Sequence, residues 1–402
     1  MNILFIHPNF PAQFKHISAQ AAKEGHSVKF ICQTHYGRSI QGVERLKLKG
    51  QSSFEELEKQ KLNIFNKAQE MSSQFRRAYE SITVQKWIPD LVVSHSGWGC
   101  GMHVKEVWPK CFHISYLEWW FNPSSSFFEY DKYNADLNVN KNMIPKAWKR
   151  NQSIALELAA ADAVVAPTNW QREQLPLTFQ KKCMVIFDGI DLNFFKSSSL
   201  ASSKGKNVTY GTRGMEAMRC FPQFIKSLPK VIQTIPDVRI EIAGSDSINY
   251  CGSPPENFKS WKKWAIDFIK RNNIEQSISW LGHLGKEDYR RWLHKSDCHV
   301  YLTHPFVASW SLVDAICSDC KIVASDVEPV KDFEAYCFDN QLTLVDHRNV
   351  ENLSNAIIVS LQQRVSLKTG HRGVHPLRHD LSCEDSWRKW HRVYGEQVPT
   401  GA

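Results

Sequence analysis

Two arginines, Arg213 and Arg219, stand six residues apart in VTYGTRGMEAMRCFPQFIKSL, Val208 to Leu228, where a short apolar strand leads into a turn and then an amphipathic helix. A guanidinium is permanently charged and presents a planar fork that fits phosphate oxygens bidentately. A helix start adds unpaired backbone N–H groups and the positive end of the dipole. Together these suit a diphosphate, provided a turn brings both arginines onto one ligand. Gly211 and Gly214 let the backbone approach such a group closely. Taken alone, two solvated surface arginines are the simpler account.

About eighty residues later comes HVYLTHPFVASWSLVDAICSDCKIVASDVEPV, which reads as strand (His299 to Thr303), loop, helix (Trp310 to Cys317) and strand (Lys321 to Ser325). With RGMEAMR, this stretch resembles a branch of the retaining, nucleotide-sugar-dependent glycosyltransferases of family four, which have the GT-B fold. The resemblance implies that Arg213 and Arg219 grip the donor pyrophosphate. It also implies that the later loop and helix hold ribose and sugar. Mainstream members carry two glutamates eight positions apart there; in this chain they fall on Phe306 and Asp314. Asp314 keeps a carboxylate for the ribose, one methylene shorter. Phe306 accepts no hydrogen bond, so sugar recognition leans on Ala308 to Ser311, including Ser309, Trp310 and Ser311. Gly244, in IEIAGSD, ends a strand where the cleft should lie, although a simple turn glycine is an equal account; Gly282, His283 and Leu284, in WLGHLGKEDY, match the family loop that lines the nucleotide base. Retaining transfer of this kind is thought to use no protein nucleophile, the departing phosphate taking the acceptor's proton. The protein then chiefly stabilises charge on the leaving diphosphate. No Asp-x-Asp element stands near a strand end, so metal independence is expected, with no cofactor beyond the nucleotide-sugar co-substrate.

Acceptor-side expectations fall in the first half, in SHSGWGCGMH and YLEWWFNP, each following a strand. His95 and Glu118 are the polar residues suited to orienting an acceptor hydroxyl. The glycine-rich turn Gly97 to Gly101 permits close approach of a ligand. Trp98, Trp119 and Trp120 suit stacking on sugar faces or, equally, aromatic packing. His7 to Phe10 form the other lip of the expected cleft. The acceptor class is a glycan or a lipid-linked glycan precursor. Basic patches at Arg76-Arg77 and Lys146 to Arg150 suit a membrane surface, although solvated helix faces explain them more cheaply.

These residues need a scaffold, and 402 residues fit two domains better than one core. With 42% apolar and 23% charged residues, an ordered globular chain is expected. A net charge of +9 suits anionic partners, yet no nucleic-acid-binding signature accompanies it. No run of apolar residues is long enough to span a bilayer, and MNILFIHPNF reads as a buried first strand rather than a leader. Eleven scattered cysteines point to a reducing cytoplasm, with contact at the inner membrane face as the further option. Cys317 and Cys320, C-x-x-C at the end of a helix, read as packing rather than as a redox or metal pair.

Strand and helix alternate throughout, which implies parallel doubly wound sheets: an α/β chain of two Rossmann-like domains. Strands are expected at Asn2–His7, Ser27–Cys32, Leu91–Ser94, Phe112–Tyr116, Ala163–Ala166 and Met184–Phe187. Further strands are expected at Val208–Tyr210, Arg239–Ala243, Ile278–Leu281 and Cys298–Leu302. Residues 1–196 form the acceptor-side domain, the Ser-rich 197–206 a linker, and 207–382 the donor domain. Residues 383–402 form a helix that returns to the first domain, with Trp387, Trp390 and Tyr394 on one face. Two other accounts compete. One is a catalytically inactive GT-B scaffold, motivated by Phe306 and Asp314. The other is a dinucleotide oxidoreductase, which requires a G-x-G-x-x-G turn where this chain has HPNFPAQF.

Overall fold

The computed structural model describes residues 1–48, 57, 59–60, 62–196, 206–363 and 375–395. The chain forms two compact units, one of Met1–Ser125, Asn142–Gly189 and Asp380–Ala402, the other of Ser126–Lys141 and Ile190–His379. The linker expected at 197–206 lies outside the described residues except for Lys206. Residues 126–141, read from the sequence with the first domain, group with the second unit, where Phe127, Phe128, Leu137 and Val139 are buried.

In the first unit, parallel strands β1 (Asn2–Ile6), β2 (Ser27–Cys32), β3 (Val43–Lys47), β4 (Leu91–His95), β5 (Phe112–Tyr116), β6 (Ala163–Ala166) and β7 (Cys183–Val185) form a sheet of order 3-2-1-4-5-6-7. Strands β1 and β6 are nearly continuous apolar runs, and β4 is buried throughout, because both faces of the sheet are covered. On one face Phe5, Phe14, Phe30 and Tyr116 pack with Trp387, Trp390 and Tyr394 of the helix Cys383–Gly395. On the other, Leu4, Ile31 and Val92 pack with Met71, Phe75 and Tyr79 of the helix Ile64–Val84. That helix starts where the Asn63 side chain accepts the Asn66 N–H at 2.9 Å.

In the second unit, β8 (Lys206–Gly214), β9 (Val238–Ser245), β10 (Ile278–Gly282), β11 (Cys298–Tyr301), β12 (Ile322–Ser325) and β13 (Leu342–Val345) form a parallel sheet of order 10-9-8-11-12-13. The helix Phe221–Thr234 follows β8, and Phe224 stacks on Tyr210 with ring centroids 4.4 Å apart. In both sheets the strand order reverses beside the first strand, so loops at the carboxyl ends of β1 and β4, and of β8 and β11, flank a switch point where ligands bind in such folds.

Candidate functional site

On the second unit, β8 runs four residues beyond the Tyr210 end expected for it, and its pairing with β9 shifts register between Gly211 and Gly214. Arg213 therefore sits on the strand rather than in a turn, and it is exposed. The glycines here serve packing. A Cβ on Gly214 would stand 2.1 Å from Asn249 Nδ2, and one on Gly211 3.0 Å from the Trp292 ring. Gly244, at φ +140°, would place a Cβ 2.1 Å from the Thr212 carbonyl oxygen, so the close crossing of β8 and β9 requires it.

Arg219 lies on a short 3-10 turn, Ala217–Arg219, and is only 7% exposed. Its Nη1 donates to Thr303 Oγ1 at 2.7 Å and to the Val307 carbonyl at 3.4 Å, and its guanidinium lies 5.2 Å from the Tyr250 ring centroid. Arg213 shares none of these partners. Buried Glu216 fixes the neighbouring loop, its Oε2 accepting the N–H groups of Asn249 (3.0 Å) and Tyr250 (2.8 Å). Burial raises the Glu216 carboxyl above the ordinary range, against those two amides. The helix start itself offers an anion less than expected. The Phe221 N–H already donates to the Glu216 carbonyl, and Pro222 has no N–H.

The loop after β11 leads into the helix Trp310–Cys317, capped by Ser309, whose Oγ lies 2.8 Å from that of Ser311. The Ser309 N–H donates to the Tyr301 hydroxyl at 2.8 Å. Trp310 is exposed. Asp314, one turn further, accepts the Tyr289 hydroxyl at 3.2 Å. Burial pushes its carboxyl up to about 7, against that bond and the Lys286 charge. Phe306 packs against Tyr250 (5.2 Å) and Phe127 (5.8 Å). Gly282 has φ +64°, exposed His283 and half-buried Leu284 follow it, and the helix Lys286–Lys295 carrying Tyr289 starts next. The structure thus joins Arg219, Tyr250 and Phe306 in one group and Asp314 with Tyr289 in another, with Ser309 and Ser311 at the helix start.

On the first unit, His95 ends β4 and is 2% exposed, its Nε2 3.3 Å from Glu118 Oε2. The His7 ring meets it edge-on at 4.7 Å. His7 Nδ1 accepts the Asn9 N–H at 2.8 Å. Burial first, and the neighbouring His95 second, hold His7 well below the ordinary imidazole pKa, so it is a neutral ring protonated on Nε2. The carboxyl ends of β1, β4 and β5 therefore gather His7, His95 and Glu118. Of the two alternatives for the tryptophans, the structure shows the packing one: Trp119 and Trp120 are 8% and 3% exposed, packed on Trp170 and on Phe179 and Trp148. Trp98 is half-buried against the Phe75 side of the sheet. Of the turn glycines, only Gly97 faces open space. A Cβ on Gly99 would stand 2.4 Å from the Ala68 carbonyl, and one on Gly101 2.4 Å from Ser94 Oγ.

Residues 24–195 match the family model described as glycosyl transferase family 4 group. No curated protein matches the sequence. Among solved structures, sucrose-phosphate synthase from Thermosynechococcus elongatus is 13% identical at TM-score 0.73, with all of both chains covered. HepE from Anabaena, in complex with UDP and glucose, is 13% identical at TM-score 0.67, covering 98% of this chain and 100% of that one. A glycosyltransferase from Rickettsia africae is 15% identical at TM-score 0.68, covering 100% and 99%. The fold is of the GT-B class. The family match ends at residue 195 and does not reach β8 to β13.

Sequence reasoning missed Glu216, Tyr250, Tyr289 and Thr303. Thr303 carried a usable signal, since it follows the expected strand at the end where ligands bind. Tyr289 carried none, because only the fold brings the second turn of one helix to another. Among the described residues, no group of three His, Cys, Asp or Glu side chains is placed to hold a metal, and no helix is long and apolar enough to cross a membrane.

Proposed function

We propose that this protein is a retaining glycosyltransferase that moves a sugar from a UDP- or GDP-linked donor to a glycan or glycolipid precursor without a metal ion. The second unit takes the donor and the first the acceptor. The observation that carries this reading is Arg219, a buried guanidinium held by Thr303, Val307 and Tyr250 at the carboxyl end of the sheet. A fixed cation is worth most where negative charge grows on a leaving phosphate, because it needs no reorganisation. Arg213, exposed on the strand above, supplies a second cation to the diphosphate. Asp314 takes the ribose, Gly282, His283 and Leu284 line the base, and Ser309 and Ser311 meet the sugar. His95 and Glu118 orient the acceptor hydroxyl beside Gly97 and Trp98. The family match of residues 24–195 and the UDP and glucose bound to HepE support this reading.

Nucleotide release from a panel of UDP- and GDP-sugars tests it. Arg219→Ala is expected to slow release about a hundredfold or more, and Arg219→Lys to recover only part of the loss. Nucleotide binding without release from any donor, with candidate acceptors present, would leave the inactive scaffold instead. That outcome has its motive in Phe306 and in the bond Tyr289 already makes to Asp314.

A further inference from the structure

Residues 126–141 leave the first unit after Ser125, pack wholly within the second, and return to the first at Asn142. Several of their attachments fall on the loop after β11, and others reach the loops after β9, β12 and β13. His304 Nε2 lies 2.6 Å from the Phe127 carbonyl oxygen, to which it donates, and the Phe127 ring meets His304 edge-on at 5.4 Å and Phe306 at 5.8 Å. Tyr130 lies 5.8 Å from His304 and 5.5 Å from His347, under the Arg348 guanidinium at 4.4 Å. Arg348 Nη1 also donates to the Tyr130 carbonyl at 2.7 Å, and Ser126 Oγ to Glu328 at 3.1 Å. Further along, the Asp136 carbonyl fills the space a Cβ on Gly252 would need, at 2.8 Å. The same loop is tied from its other side by Arg219, through Thr303 and Val307.

We propose that residues 126–141 are a positioning strap for the donor site: Phe127 and Tyr130 hold the 303–307 loop against Arg219 and so set the affinity for a nucleoside diphosphate they do not touch. This rests on the donor-site reading above. The loop has no regular secondary structure of its own between β11 and the helix at Trp310, so its conformation depends on what packs on either side. Phe306 then has a positive role in this chain. A ring at that position joins Phe127 to Tyr250, whereas a carboxylate there would be desolvated between two aromatic rings. The strap is covalently continuous with the first unit at both ends.

The test compares wild type with Phe127→Leu, Tyr130→Ala and Tyr130→Phe by two independent readouts. Amide hydrogen exchange reports the loop directly, and calorimetric titration with UDP and GDP reports the site. Phe127→Leu and Tyr130→Ala are expected to speed exchange across 303–309 while leaving the helix Lys286–Lys295 at wild-type rates. They are also expected to weaken nucleotide binding about tenfold, raising donor KM with kcat changed less than about threefold. Tyr130→Phe is expected to match wild type in both, because the Tyr130 hydroxyl has no hydrogen-bond partner among the described residues. Wild-type exchange at 303–309 in both Phe127→Leu and Tyr130→Ala overturns the strap. Faster exchange with unchanged nucleotide affinity overturns its role in the donor site. Absence of UDP and GDP binding in the wild type itself overturns the donor-site reading, and exchange still judges the strap.

Discussion

Asp314 and Arg219 illustrate how burial sets what a side chain can do. Arg219 keeps its charge when buried because Thr303 and Val307 accept from it and Tyr250 offers a ring face. Asp314 has the Tyr289 hydroxyl and the more distant Lys286 charge, and burial outweighs both, pushing its carboxyl up to about 7. On the proposal that Asp314 takes the ribose, an ionised carboxylate accepts its hydroxyls better than a protonated one, so binding would draw the proton off and affinity would rise as pH rises through that value. Nucleotide affinity measured from pH 6 to pH 8 is expected to increase up to about tenfold, and Asp314→Asn to flatten the dependence. A wild-type profile flat across that range would remove Asp314 from the ribose. In the sequence Arg219 stands out by a permanent charge beside a helix start, and Asp314 only through the family resemblance, since one buried aspartate on a helix carries no signal of its own. The sequence hid Tyr250 and Tyr289, whose roles come from ring and hydroxyl placement that only the packed loops create.

The glycine-rich turn after β4 shows the same physics in an element. Glu157, in the helix Ile144–Ala160, is fully buried beneath Gly99 and Gly101, and burial lifts its carboxyl to about 8. The two glycine amides oppose that shift but are not aligned closely enough to be full hydrogen bonds. A carboxyl raised from about 4.3 unfolded lends stability that is complete below that value and lost progressively as pH climbs to the folded value. Urea unfolding of wild type and Glu157→Gln should diverge in favour of Gln by about 1.4 kcal/mol per pH unit between about pH 5 and pH 8. The neighbouring His113, held near about 3 by burial, is common to both proteins and cancels. A constant difference would mean the carboxyl is ionised throughout. Legibility of elements follows burial too: β2, β5 and β6 keep the bounds expected for them, and their residues are almost all buried. The edge strand β3, VERLK, was invisible because charges protect an exposed edge, Lys29 pairing there with Glu44. The helix Ile144–Ala160 begins early in the basic stretch KAWKR, since Pro145 fits a first turn and that face is solvated.

At the scale of the molecule, the chain divides its sequence unevenly between two cores. The second unit borrows residues 126–141, while the first ends its core with the helix Cys383–Gly395, far along the chain. Trp387, Trp390 and Tyr394 join the cluster of Phe5, Phe14 and Tyr116, and Trp387 Nε1 donates to Glu24 at 2.6 Å. The three-residue and four-residue spacing of these aromatics made the apolar face legible. Which sheet it covers is decided by the cluster around Phe14, not by the helix. Trp390 is 3% exposed, so Trp390→Ala removes a large ring from a close-packed layer and leaves a cavity. It is expected to lower the unfolding free energy of the first unit by about 3–5 kcal/mol. No atom of that ring belongs to the second unit's core, so UDP or GDP affinity is expected to stay within about twofold of wild type. Urea unfolding followed by exchange at Phe112–Tyr116, beside nucleotide titration in the absence of urea, reads the two effects separately. Loss of nucleotide affinity in step with first-unit stability would show that the two cores stand or fall together.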